Sequence, residues 1–176
     1  MSELRKANTD FPYFIIKTVV GWVDVFNRRE YIEILLNSLK YCQGEKGLKI
    51  FAYSMMSSHI HIIAQQDEAK LNEILRDIKS FTAKEIIKCI SNNVYESRRE
   101  WMLYLFRHFA KSTKQNKEFM FWQKTNHPKE LSTPELFDQK IEYIYNNPVE
   151  AGIVDKPECY IYSSAYPFSE IKLDDY

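Results

Sequence analysis

The chain has 176 residues, of which 45% are hydrophobic, 15% aromatic and 27% charged. This size and composition fit one globular domain with one core and exclude a disordered chain, while only four glycines and six prolines exclude collagen-like or low-complexity sequence. Three widely spaced cysteines, outside any CxxC pattern, favour a reducing cytoplasmic location over a disulfide scaffold. No apolar run is long enough to span a bilayer, so we expect no membrane association.

The net charge is zero, but the charges are unevenly distributed. Residues 76–124 carry eleven Lys and Arg against five Asp and Glu, whereas residues 125–176 carry four against ten. A basic middle segment can bind a polyanion through one face, although a solvated helical surface would look the same in sequence. The candidate phosphate-binding residues in this segment are Lys79, Lys84, Arg98, Arg99 and Lys111.

Apolar periodicity predicts alternating strands and helices along the chain. In chain order we expect a strand at 13–20, a helix after residue 27, strands at 48–56 and 59–65, a helix at 71–90, a helical stretch at 97–111, a strand at 119–123 and a helix from 134 to 147. Asn27 is the expected N-cap of the first helix, and Gly44 is expected just beyond its end. Pro148 is expected to end the last helix.

This order predicts an α+β fold of the ferredoxin-like, split βαβ type. Such a fold has an antiparallel sheet with helices on one face, and here a C-terminal helix follows it. Because the same fold carries many unrelated functions, function has to be argued from particular residues.

The sharpest local pattern is His59-Ile60-His61 at the start of the third predicted strand. Side chains alternate across a strand, so both imidazoles are expected on one face and Ile60 on the other. Two neighbouring imidazoles can chelate one divalent ion. The alternative is a pair of half-exposed histidines on an open sheet face.

A second pattern lies on the last predicted helix, where Tyr143 and Asn147 are four residues apart and share a face. Tyr145 points elsewhere on the same helix. Near a metal ion, the Tyr143 hydroxyl could act as a nucleophile and the Asn147 amide oxygen could be a ligand of the ion. The alternative is that Tyr143 is an amphipathic core residue and that Asn147 is a cap.

With both patterns present, the chain resembles the single-tyrosine HUH transposases, and among them the REP-associated tyrosine transposases. The resemblance depends on FAYSMMSSHIHII at 51–63 and YIYNNPVEAGIV at 143–154, and it extends over about residues 12–167 of a single domain spanning 1–176. One departure is Ser57-Ser58 before the first histidine, where relatives often have Pro-Asn or Ser-Asn.

The resemblance implies a metal-dependent enzyme that cleaves and rejoins single-stranded or hairpin DNA. His59 and His61 would bind Mg²⁺ or Mn²⁺, with Asn147 in the place of the family's amide-type third ligand. Tyr143 would be the nucleophile, and it would form a 5′-phosphotyrosine intermediate. The resemblance leaves open whether the protein acts as a monomer or as a homodimer.

Two other functions remain open at the level of sequence. One is a domesticated hairpin-DNA-binding protein without transposition. The other is a ferredoxin-like RNA-binding module in which aromatic side chains of the sheet stack on bases. The second would need neither the histidine pair nor Tyr143, so metal dependence separates it from the enzyme.

Overall fold

The structure is a computed structural model that describes residues 10–68, 70–111, 118–124 and 128–176. The strands are β1 (Tyr13–Thr18), β2 (Lys49–Met55), β3 (His59–Gln65) and β4 (Lys129–Glu130). The helices are α1 (Arg29–Lys46), α2 (Leu71–Asn92), α3 (Arg99–Lys111) and α4 (Pro134–Glu150). Short 3₁₀ segments occur at Val20–Trp22 and Pro157–Cys159.

The four strands form one sheet in the order β2-β3-β1-β4, and every neighbouring pair is antiparallel. The central strands are in a register that pairs Ile16 with His61 and Thr18 with His59. This strand order, with α1 and α2 as the two connections, is the predicted ferredoxin-like α+β arrangement. The fold prediction is therefore confirmed.

Helices cover both faces of the sheet because the strands are apolar on both sides. The larger core lies between the sheet and α1, α2 and α3, and its strand residues include Ile15, Ile60 and Ile62. The smaller core lies under α4 and is formed by Phe14, Phe51, Ala52, Ile63, Leu131, Phe137 and Ile144. The C-terminal helix thus packs on the face opposite to α1 and α2.

The first helix begins and ends later than its sequence suggests. Its N-cap is Arg28, which makes no side-chain capping hydrogen bond, so the prediction for Asn27 is wrong. Gly44 lies inside the helix, and Gly47 ends it in the left-handed conformation with φ 62°. The buried Leu48 explains the later stop, because its amide donates to Cys42 O at 3.1 Å and brings the chain into β2.

The last helix continues through Pro148 to Glu150, so the prediction that proline ends it is wrong. Proline removes one amide donor, but neighbouring backbone bonds close the final turn. Ala151 N donates to Asn147 O at 3.0 Å and Ile153 N donates to Pro148 O at 2.9 Å. Asn147 therefore lies in a helical turn, one turn beyond Tyr143.

The predicted strand at 119–123 does not form, and Lys129–Glu130 pairs with the start of β1 instead. Trp122 makes only an isolated bridge with Val19, because β1 ends there in a 3₁₀ turn. Phe121 and Trp122 are both buried, and the Trp122 indole donates to Thr82 Oγ1 at 3.0 Å. The segment therefore lies beside the end of β1, where Val20 N donates to Phe121 O and Gln123 N donates to Thr18 O, both at 2.8 Å, and it packs its side chains against the helices.

The C-terminal segment covers the free edge of β2. Met55 N donates to Tyr162 O and Asp174 N donates to Ile50 O, both at 2.9 Å. Covering an edge strand in this way blocks pairing with other chains. None of the helices in the described ranges has both the length and the apolar character needed to cross a bilayer.

Candidate functional site

The two histidines of β3 face α4, while the intervening Ile60 lies in the larger core. Their Nε2 atoms are 3.1 Å apart, and the two rings are almost perpendicular, at 89°, with centroids 4.8 Å apart. The two-residue periodicity of a strand is sufficient to produce this shared face. Both nitrogens therefore converge on one point above the sheet.

Burial keeps this histidine pair neutral near pH 7. His61 is only 2% exposed and its ring stacks on Phe14, with centroids 5.8 Å apart. Desolvation, with smaller contributions from the charges of His59 and Lys140, lowers the pKa of His61 to about 3. Desolvation also lowers the pKa of His59 below its ordinary value. Neutral imidazoles keep the lone pair that binding a metal requires.

The outer nitrogens of the two rings have different surroundings. His59 Nδ1 lies 3.2 Å from Ser58 Oγ, so the serine of the preceding turn orients that ring. His61 Nδ1 is buried and has no hydrogen-bond partner in the described part of the chain. If the Nε2 atoms bind a ligand, the Nδ1 atoms hold the protons, and only that of His59 has an acceptor.

Helix α4 places Tyr143 directly over the buried histidine. The rings of Tyr143 and His61 meet edge to face with centroids 5.3 Å apart, and Tyr143 also contacts Phe14 edge to face at 5.8 Å. Tyr143 is 36% exposed, so a substrate can reach it. Tyr145 packs against the smaller core instead. The two tyrosines therefore differ in the way that helical geometry predicts.

Asn147 lies one turn beyond Tyr143 on α4 and is half-buried. The described residues hold no group of three or more His, Cys, Asp or Glu side chains that could bind a metal ion. Of the predicted metal ligands, the structure brings the two imidazoles together.

The structure adds two residues that sequence reasoning missed. Lys140 Nζ lies 4.9 Å from the centroid of the Tyr143 ring and 4.8 Å from that of Phe14. Trp22 contacts His59 edge to face with centroids 5.4 Å apart. The spacing of Lys140, three residues before Tyr143 on one helix, could have identified it. No sequence pattern identifies Trp22, because its position depends on the turn after β1.

The predicted phosphate-binding residues do not join the histidine site. They lie on α2, on the connection to α3 and on α3, all of which pack on the other side of the sheet from α4. Lys84 and Lys111 are exposed. Lys79 is half-buried and donates to Gln123 O at 2.6 Å, and burial lowers its pKa.

The two predicted arginines already have partners within the chain. Arg98 binds the carboxylate of Glu96 and donates from Nη1 to Asp24 O at 2.9 Å. Arg99 pairs with Glu100 at 3.0 Å. Arg98 therefore lies against the 19–26 connection, which also carries Trp22.

Comparison with known proteins gives a structural match only. No family model matches the chain, and no curated protein sequence matches it. A solved structure described as the REP-associated tyrosine transposase bound to a REP hairpin aligns with 100% of this chain and 95% of that chain, with a TM-score of 0.64 and 16% sequence identity. The two chains share a fold. At this identity the similarity supports the fold and leaves the chemistry to be argued from the site.

Proposed function

We propose that the protein is a tyrosine transposase-type enzyme that cleaves and rejoins DNA at single-stranded positions beside hairpins. The observation that carries this proposal is the contact of Tyr143 with His61, within a pair of neutral imidazoles whose Nε2 atoms are 3.1 Å apart. The structurally similar transposase is described as bound to a REP hairpin, which supports hairpin DNA as the partner.

The histidine pair fits a divalent metal ion. The Nε2 atoms of His59 and His61 are 3.1 Å apart, close enough for both nitrogens to reach one ion. These two residues would hold Mg²⁺ or Mn²⁺, and the Asn147 amide would be the third protein ligand. Such an ion, when bound, polarises a phosphate oxygen and offsets the charge that develops there.

The chain's own residues account for the covalent step. Tyr143 Oη attacks the scissile phosphorus, a new P–O bond forms, and the bond from phosphorus to the 3′ oxygen breaks. The phenol loses its proton, and the departing 3′ oxygen gains one. The ammonium of Lys140, 4.9 Å from the centroid of the Tyr143 ring, attracts the incoming phosphate. Attack by another 3′-OH on the phosphotyrosine rejoins a strand and releases Tyr143.

The arrangement supports a site that is complete within one chain. Tyr143 contacts His61 of its own chain, and both residues contact Phe14 of β1. A second chain is not required to supply the nucleophile. We therefore propose that the monomer is competent for cleavage.

The experiment is a denaturing gel of protein incubated with a labelled DNA hairpin carrying single-stranded flanks, with and without Mn²⁺. Wild type should give a protein–DNA adduct that survives SDS and depends on Mn²⁺. Tyr143→Phe removes one oxygen from a partly exposed ring, so it should abolish the adduct and leave hairpin binding unchanged. Tyr145→Phe is the matched control, two residues away on the same helix, and should keep the adduct. A wild-type yield of adduct from Tyr143→Phe would refute the mechanism.

A hairpin-binding protein without strand transfer is the second candidate. Metal-ligating histidines ordinarily donate their other N–H to an acceptor, and within the described residues His61 Nδ1 has none. In the same experiment this candidate predicts tight binding of the hairpin, no adduct from wild type, and no effect of Mn²⁺.

A further inference from the structure

Trp22 has an unfavourable backbone conformation and an exposed side chain. Its φ is 56°, and it is the only non-glycine residue with positive φ among those described. A bulky side chain in this left-handed region costs free energy, which glycine would avoid. The side chain is 60% exposed, so burial in the core does not offset that cost. Strain of this kind, held beside a candidate site, indicates a functional constraint.

The turn that carries Trp22 is held in place from two sides. On one side it is bound to the Ser57-Ser58 turn before His59, because Val19 N donates to Ser58 O at 2.9 Å and Phe26 N donates to Ser57 O at 2.8 Å. On the other side Gly21, with φ 63°, packs so closely on α3 that a Cβ there would lie 2.9 Å from the Phe109 ring. The backbone of this turn is therefore held beside the histidine pair, and the Trp22 ring contacts His59 there.

The surface around this turn suits a nucleic acid strand. The Trp22 ring contacts His59 through an edge-to-face arrangement, which leaves much of the indole open to solvent. Arg98 lies against the same connection through its bond to Asp24 O. An exposed aromatic ring in contact with a candidate phosphate site can stack on an unpaired nucleotide.

We propose that Trp22 is a stacking platform for one unpaired nucleobase of the DNA strand whose phosphate occupies the His59–His61 site. This rests on the proposed function and deepens it, because it assigns the base subsite next to the scissile phosphate. Stacking on an indole is tolerant of base identity, since every base has a π face. Trp22 is thus a positioning residue that orders the single-stranded flank.

The test compares two probes by fluorescence anisotropy without added metal. One is a DNA hairpin with single-stranded oligothymidylate flanks, and the other is the same hairpin with a blunt end. Trp22→Gly should weaken binding of the flanked hairpin by about 5- to 150-fold, which corresponds to about 1–3 kcal/mol for one stacked base, and should leave blunt-hairpin affinity unchanged. Trp22→Phe should restore most of the loss.

A stability measurement separates stacking from a structural role. Because glycine relieves the positive φ, Trp22→Gly should unfold at a temperature equal to or above that of wild type. Tyr41→Ala is the matched control: Tyr41 is also 60% exposed, but it lies on α1, on the other side of the sheet. Tyr41→Ala should leave the affinities of both probes at their wild-type values.

Three results would overturn the inference: unchanged flanked-hairpin affinity in Trp22→Gly, equal losses for the flanked and blunt hairpins, or a loss accompanied by a lower unfolding temperature that Trp22→Phe does not rescue. Failure of the proposed function is distinguishable, because it is measured by the covalent adduct. If Trp22-dependent binding occurs while wild type forms no adduct, the stacking role of Trp22 is supported and strand transfer is refuted. If Trp22→Gly binds the flanked hairpin as wild type does while wild type forms the adduct, strand transfer is supported and the stacking role of Trp22 is refuted.

Discussion

The buried His61 should make folding stability depend on pH in a defined window. The pKa of His61 is about 3 in the folded chain, whereas an unfolded histidine ionises near about 6.5. Above that value both states are neutral and the full stability is present. As the pH falls below it, the unfolded chain binds a proton that the folded chain does not, so stability is lost progressively toward pH 3.

The magnitude follows from the difference between the two pKa values. About pH 5 is about 1.5 units below the pKa of the unfolded histidine. Protonation of the unfolded chain therefore lowers the free energy of unfolding by about 2 kcal/mol, at about 1.4 kcal/mol per unit. The perturbation that isolates this contribution is His61→Phe. It keeps a ring between Phe14 and Tyr143, and it leaves no nitrogen at the position where His61 Nδ1 lacks a partner.

The assay is urea unfolding of wild type and His61→Phe at about pH 7.5 and about pH 5, at one ionic strength and without metal. All other titrating groups, including His59, are common to both proteins, so their contributions largely cancel in the difference. Wild type should lose about 2 kcal/mol more than His61→Phe between the two conditions. Equal losses would show that His61 is not buried as a neutral base, and therefore that its nitrogen is not held ready to bind a metal.

Further predictions concern charges elsewhere in the fold. Burial lowers the pKa of Lys17 from its ordinary 10.5 to about 7. Between these pH values the unfolded chain binds a proton that the folded chain does not, so the free energy of unfolding should rise with pH. In urea unfolding Lys17→Met should abolish this rise, and a persistent rise would assign it to another group. Reversing the charges of the exposed Lys84 and Lys111 should flatten the slope of log K for DNA binding against log salt by about 0.7 for each single-strand phosphate that these lysines neutralise in wild type. Lys79→Met should leave the slope unchanged, because the Lys79 ammonium already binds a backbone carbonyl. The converse result would place the DNA near Lys79. The Glu96 carboxylate is fully buried between two arginines, so Glu96→Gln should lower the free energy of unfolding by about 1–3 kcal/mol, and an unchanged value would mean that these ion pairs contribute nothing.

Local geometry explains which features could be predicted from sequence. The third strand has the predicted bounds, His59–Gln65, because strict alternation between two cores leaves only one acceptable register. The divergence of Tyr143 and Tyr145 on α4 follows from 3.6 residues per turn and needs no tertiary information. The strand and helix order was also sufficient for the ferredoxin-like fold, because antiparallel neighbours and two helical crossovers leave few other topologies.

Predictions about where elements end failed where distant contacts decide the outcome. The aromatic run at 119–123 has the composition of a strand, but β1 turns away after Thr18 and leaves Trp122 a single bridge. Pro148 lacks an amide donor, which ordinarily ends a helix. Here the backbone hydrogen bonds of the following turn offset that loss, so the helix continues past Pro148. The first helix continues past Gly44 and ends at Gly47, whose left-handed conformation leads the chain directly into β2.

The sequence by itself determined the types of residue at the site, the shared face of the two histidines and the helical spacing of Tyr143 and Asn147. Only the tertiary structure decided that α4 packs on the histidine side of the sheet, which brings Tyr143 against His61. The protonation of His61 and the exposed indole of Trp22 beside His59 also belong to the tertiary structure. The physical reason is that spacing along a helix or strand is a local property, whereas burial, and with it the pKa of a side chain, is set by neighbours that are distant in sequence.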